Sequence, residues 1–197
     1  MPRKADTHLE GRIVDAAYQL WSKEGEHALT MRAVARAAGT TTPTLYERFR
    51  DKHDLIMFLR VRARERMFAA LLPAKSTAEA CRLGLEFTLT NGNEYLLLTS
   101  DWAERLARKE RMPSYEYIQE KLADDLGGVA ADYEKLAMAL VAQVHGTALL
   151  LLGEGVEAGI AKQFKDACLD ACQVLIEGGG KRVAKQTTTG AVTKRDR

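Results

Sequence analysis

Apolar residues recur along this chain at spacings of three and four, nearly from one end to the other. No stretch alternates apolar and polar positions long enough to make a strand, so the expected fold class is all-α. A first helix is predicted from about Glu10 to Lys23, with Ile13, Ala17, Leu20 and Trp21 on one face and Gly25 ending it. A second follows Thr30, a good N-cap, and carries Met31, Val34, Ala35 and Ala38 before stopping at Gly39. A short third helix comes after a polar turn. Thr41 is its expected N-cap, Pro43 sits in its first turn, and Leu45 and Phe49 face inward. Asp51 is expected to cap a long fourth helix that reaches about Leu72, where Pro73 breaks it. Further helices are predicted at about 77–91, 94–109, 114–126, 132–153 and 161–177, and Gly178-Gly179-Gly180 is expected to close the last. No internal repeat is evident.

Composition adds bounds. The 197 residues are 46% hydrophobic and 28% charged, enough for one good core or for a small domain leaning on a larger one. The longest apolar stretch, Leu136–Gly153, is interrupted by Gln143 and His145 and falls short of the roughly 20 residues a membrane span needs. Met1-Pro2-Arg3-Lys4 leads into polar residues rather than an apolar run, so no signal peptide is expected. Cys81, Cys168 and Cys172 lack the spacing of a disulfide framework, which fits a reducing, cytoplasmic setting. The net charge of +2 hides an asymmetry: residues 1–66 carry +4, residues 67–177 carry −7 and residues 178–197 carry +5. A basic N-terminal third beside an acidic body suggests that only the first part meets a polyanion.

Two short helices joined by a tight turn, the second rich in groups that touch nucleic acid, form a DNA-reading arrangement. Close approach of the two helices needs a small apolar face, which Val34, Ala35, Ala38 and Leu45 supply. The turn needs Gly39, and the second helix offers Thr42, Thr44, Tyr46 and Arg48 as short polar groups and donors. Helix N-termini also attract phosphate through their free N–H groups.

These residues resemble the tetracycline-repressor (TetR) family of transcriptional regulators. The resemblance rests on the run Leu29–Gly39, then Thr40–Phe49 with its Leu45-Tyr46-x-x-Phe49 pattern, then Asp51-Lys52 and Leu55, and it covers about residues 10–60. It implies an N-terminal three-helix helix-turn-helix DNA-binding domain over residues 1–54, with the fourth helix (about 51–72) as connector. It further implies a helical effector-binding and dimerisation domain over 55–178. A basic, disordered tail is expected over 179–197. Thr42, Pro43 and Thr44 would then reach base edges or thymine methyls. Tyr46 would lie on the phosphate backbone, and Lys52 would hold a phosphate. Arg32 would reach a guanine or a phosphate, Thr30 and Thr41 would add hydroxyls at helix starts, and Arg48 stands where many relatives carry His or Tyr. Glu47, an acid near a polyanion, either accepts from a cytosine amino group or pairs with Arg48 or Arg50.

The family default is a repressor that binds a palindromic operator in double-stranded DNA as a homodimer and is released by a small-molecule effector. Dimerisation is expected through the last two helices, with Ala137, Leu140, Val141, Val144, Leu149, Leu150 and Leu152 on one and Phe164, Cys168, Cys172 and Leu175 on the next. A ligand pocket would draw on Phe87, Tyr95, Trp102, Met112, Tyr115, Tyr117 and His145. No membrane and no cofactor are expected. An enzyme is disfavoured, because there is no phosphate loop, nucleophile elbow or metal-spaced His pair. Two alternatives stay open: a cysteine-based redox-sensing regulator using Cys168 and Cys172, and a non-specific, nucleoid-type DNA-binding protein using the basic ends.

Overall fold

The computed structural model describes residues 8–153 and 155–192, with side chains described up to Gly179. Among the described residues there is no strand. The α-helices are α1 (Leu9–Glu24), α2 (Met31–Ala37), α3 (Thr42–Tyr46), α4 (Lys52–Leu71), α5 (Thr77–Thr90), α6 (Gly92–Thr99), α7 (Trp102–Ala107), α8 (Pro113–Leu126), α9 (Glu134–Leu151) and α10 (Ala158–Val192). Single 3₁₀ turns stand at Glu26–Ala28 and Ala130–Tyr133. None of these helices is long and apolar enough to cross a membrane.

The chain divides into two compact units. One runs to Arg66 and adds Asn91–Arg108; the other holds Met67–Thr90 and the chain from Lys109 onward. The expected boundary near residue 54 therefore leaves out part of the first unit. Its core is made by Ile13, Ala17 and Tyr18 of α1, Val34 and Ala35 of α2, Leu45 and Phe49, and Leu55, Leu59 and Ala63 of α4. Leu97 of α6 is buried in the same core. Burying each of the larger aliphatic side chains stabilises by about 1.5–3 kcal/mol.

Polar contacts tie the later segment to α1. The Trp21 indole N–H donates to the Asn93 carbonyl at 2.8 Å. The Asn93 amide donates back to the Ser22 carbonyl at 3.1 Å. The Ser22 hydroxyl donates to the buried Glu94 carboxylate at 3.0 Å. The single helix predicted over 94–109 is broken at Ser100 and Asp101. There Asp101 turns a buried carboxylate onto Arg64 at 3.1 and 3.3 Å and onto Arg60 at 3.9 Å.

In the second unit α9 packs on α5 and α10, and α10 packs on α5. Ala137, Leu140 and Val144 of α9 and Cys168 and Cys172 of α10 fill that core, so these five expected interface residues are satisfied within the chain. Cys81 of α5 lies beside Cys172, and all three cysteines are free and buried. Burial pushes the Cys168 thiol up, and the hydrogen bond with the neighbouring Cys81 thiol, together with burial, does the same to Cys172. Thiols held protonated in this way are poor nucleophiles, which weighs against the redox-sensing alternative.

α10 does not stop at the glycines. It runs through Gly178–Gly180 to Val192, where the sequence pattern predicted an end and a disordered tail from 179. Each glycine costs a helix only about 1 kcal/mol relative to alanine, so a run of them weakens it without breaking it. Gly179 also has a packing reason, because a β-carbon there would collide with Leu136 of α9. The last five residues of the expected tail, 193–197, lie outside the described residues.

Candidate nucleic-acid interface

The turn between α2 and α3 is built by backbone chemistry. Gly39 stands at φ +66°, the left-handed region that glycine enters at little cost. Its N–H donates to the Arg36 carbonyl at 3.2 Å, and the Thr40 N–H donates to the Ala35 carbonyl at 2.9 Å. This pair of bonds is a Schellman closure, which satisfies carbonyls at the helix end and reverses the chain.

Each helix of the pair also begins on a side chain that the sequence marks. Thr30 is extended (φ −114°, ψ 146°), and its hydroxyl accepts from the Ala33 N–H at 3.1 Å. Thr41 is extended likewise (φ −100°, ψ 153°), and its hydroxyl accepts from the Thr44 N–H at 3.3 Å. The Thr41 and Thr44 hydroxyls also meet each other at 2.9 Å. Asp51 accepts from the Asp54 N–H at 2.8 Å and starts α4, while the Asp54 carboxylate reaches back to the Arg50 N–H at 3.2 Å. A cap of this kind is worth about 1 kcal/mol.

The consequence is a two-faced element. Leu45 and Phe49 point into the core, with the Phe49 ring edge-on to Phe58 at 5.3 Å. The other side turns outward: Thr30, Arg32, Thr41, Pro43, Tyr46 and Arg48 are exposed, and Thr42, Thr44 and Lys52 are partly so. Tyr46 keeps half its surface in water. All nine sequence-predicted residues thus lie in the one unit, near the starts of α2, α3 and α4. Arg50 takes Asp54 as its ion-pair partner at 3.6 Å. Lys52 carries a contact that the sequence did not suggest. Its ammonium donates to the Glu26 carbonyl at 3.3 Å and lies 3.5 Å from the Glu26 carboxylate. No local pattern links positions 26 residues apart.

The predicted pocket residues are not brought together in one unit. Tyr95 is buried in the first unit, where desolvation pushes its hydroxyl up to about 12, and Trp102 belongs there too. Phe87, Met112, Tyr115, Tyr117 and His145 belong to the second unit. The Tyr117 ring packs edge-on to Phe68 at 5.9 Å, and its hydroxyl lies 3.4 Å from the Ala74 carbonyl. The Tyr115 hydroxyl donates to the Glu134 carbonyl at 2.7 Å. Burial lowers His145 to about 4, so the imidazole is neutral at physiological pH. Among the described residues no group of His, Cys, Asp or Glu is placed to hold a metal ion.

A helix pair closed by a Schellman turn, with aliphatic residues inside and hydroxyls, arginines and a tyrosine outside, is a helix-turn-helix. It places the chain among DNA-binding transcription regulators. Residues 13–57 match the family described as bacterial regulatory proteins, tetR family. No curated protein matches the chain. Solved structures share the fold over nearly the whole length. A TetR-like transcriptional regulator from Rhodococcus sp. RHA1 is similar at TM-score 0.56 and 24% identity, covering 91% of this chain and 97% of its own. A TetR transcriptional regulator from Streptomyces coelicolor is similar at TM-score 0.62 and 20% identity, covering 86% and 96%. The multidrug binding protein EbrR, solved with proflavin, is similar at TM-score 0.53 and 22% identity, covering 85% and 99%.

Proposed function

We propose that this chain is a repressor that grips a palindromic operator as a homodimer and lets go when a small molecule binds its second unit. The observation that carries the reading is the outward face of α2 and α3. Thr42, Pro43 and Thr44 are at the start of α3 with Arg48 one turn on, the set that reads bases. Tyr46, Lys52, Thr30, Thr41 and Arg32 surround it, the set that holds phosphate. Phosphate contacts fix position, whereas base contacts choose sequence.

Two-fold pairing is supported by the apolar residues left in water on the last two helices. On α10, Ile160, Phe164, Ala167, Ala171 and Val174 repeat at alternating spacings of four and three, and Ile160, Phe164 and Val174 are exposed. On α9, Met138, Leu149 and Leu150 are exposed. This is the seam a helical bundle formed by two copies would bury. An effector is supported by the fold shared with a drug-binding relative, and in this chain it would draw on Phe87, Met112, Tyr117 and His145. We assign this activity to the cytoplasm. The test is selection of bound duplexes from a random library. Enrichment of a palindrome, with Thr44 and Arg48 substitutions shifting its sequence and Tyr46→Ala weakening all duplexes alike, is the expected result. Binding without sequence preference, or a monomer by light scattering at micromolar concentration, would overturn it.

A further inference from the structure

The contact between Lys52 and Glu26 has a consequence for how the protein meets DNA. Glu26 begins the 3₁₀ turn that follows Gly25, whose φ of +77° turns the chain out of α1. Gly25 is itself closely neighboured: the Asn93 side-chain oxygen lies 3.4 Å from where a β-carbon would stand. The 3₁₀ turn fixes the Glu26 backbone, whose carbonyl also accepts from the Leu29 N–H at 3.1 Å. From there it offers Lys52 two acceptors, the carbonyl at 3.3 Å and the carboxylate at 3.5 Å. Both side chains remain open to water, Lys52 at 39% and Glu26 at 68%. An exposed pair of this kind is weak and readily exchanged.

We propose that Glu26 is a competitor for DNA phosphate at Lys52, an internal anion that occupies the ammonium in the free protein and must be displaced when the operator docks. The inference rests on the assignment of Lys52 to phosphate made above. It makes Glu26 a positioning residue that tempers affinity without touching DNA. The Lys52 ammonium has three donors and no acceptor. In the free protein the carbonyl and carboxylate of Glu26 are there to receive them. A phosphate arriving at the start of α4 takes the place of the carboxylate, which returns to water.

The test is a double-mutant cycle on the full chain, using a labelled duplex of the sequence enriched by selection and a second duplex of unselected sequence. Glu26→Gln is expected to tighten binding to both duplexes by about two- to fivefold at low salt, the range that breaking an exposed ion pair releases. Lys52→Ala is expected to weaken binding to both. The decisive arm is Glu26→Gln combined with Lys52→Ala, which should bind no more tightly than Lys52→Ala alone. If Glu26→Gln tightens binding equally in the presence and absence of Lys52, the carboxylate merely repels DNA and the competition is refuted. Unchanged affinity in Glu26→Gln, with Lys52→Ala still weakened, refutes it as well. If Lys52→Ala binds like the parent protein, the phosphate assignment itself falls and the competition falls with it.

Discussion

Leu97→Ala tests whether the DNA-binding unit extends beyond the residues that resemble a DNA-binding domain. Leu97 lies 40 residues past the end of the family match at residue 57, yet it is 1% exposed in the same core as Ile13, Val34 and Leu59. Truncation to alanine removes three buried carbons, worth about 2.4 kcal/mol at about 0.8 kcal/mol per carbon. The cavity left behind adds to this, so a loss of about 3 kcal/mol is expected, within the range of buried Leu→Ala changes. That is a large part of the 5–15 kcal/mol that holds a typical domain. Amide hydrogen exchange followed helix by helix gives the readout. Leu97→Ala should speed exchange in α1, α2 and the first turns of α4. Leu122→Ala, an equally buried leucine of the second unit, should speed α8 and α9 and leave those helices alone. If Leu97→Ala left α1 and α2 protected as before, residues 91–108 would not be part of the unit's core.

Gly39→Ala keeps the turn's surroundings, since nothing lies within 4 Å of a new β-carbon, but forces alanine to φ +66°. It should cost about 1 kcal/mol by thermal melting, and operator binding should weaken in step with unfolding. Gly178→Ala enters open space and should raise the melting temperature through helix propensity, whereas Gly179→Ala meets Leu136 and should gain less or nothing. His145, lowered by burial from 6.5 to about 4, binds its proton more readily unfolded than folded. This contribution to stability is therefore complete above about pH 6.5 and falls as pH drops from there through 4, by about 3 kcal/mol in all; His145→Gln should flatten that slope in acid titrations followed by circular dichroism. A thiol reagent should modify Cys81, Cys168 and Cys172 only as fast as the second unit opens, and rapid labelling of the native protein would revive a redox role.

Most of the helix-turn-helix was legible in the sequence because its determinants are local. Thr30, Thr41 and Asp51 cap the helices that follow them, and Gly39 makes the turn, each acting within about four residues. The partners of Trp21 and Ser22 were not legible, since they lie about 70 residues away in Asn93 and Glu94. The break in the predicted helix 94–109 was hidden for a related reason. Asp101 reads as an ordinary helix-surface acid until Arg60 and Arg64 of α4 are placed against it. The end of α10 was misplaced because glycine is a statistical stop signal, not a steric one, and Gly179 serves a neighbour instead. The pocket residues were chosen mainly by side-chain type, with no signal for their placement, and the fold divides them between the two units.

The charge pattern shows how a sequence total can mislead about an interface. The N-terminal excess of +4 over residues 1–66 was grounds for expecting a polyanion. Yet Arg60, Arg62, Arg64 and Arg66, four of its cations, are paired with Asp101, Asp15, Asp101 and Glu94. Two of those acids lie beyond residue 66, so a count over the first third misses them. Much of the excess therefore serves the attachment of residues 91–108 to α4. Around the starts of α2, α3 and α4 the exposed or partly exposed cations are Arg32, Arg36, Arg48, Arg50 and Lys52, of which Arg50 is paired with Asp54 and Lys52 with Glu26. With part of its positive charge already paired to acids, the first unit should neutralise fewer phosphates than its charge count suggests, and the salt dependence of binding should be correspondingly shallower, since its slope follows the number of phosphates engaged. On the proposed reading, the remaining affinity comes from fit at the bases, through the short side chains of Thr42, Pro43 and Thr44. That favours a sequence-reading regulator over a protein that coats DNA by charge.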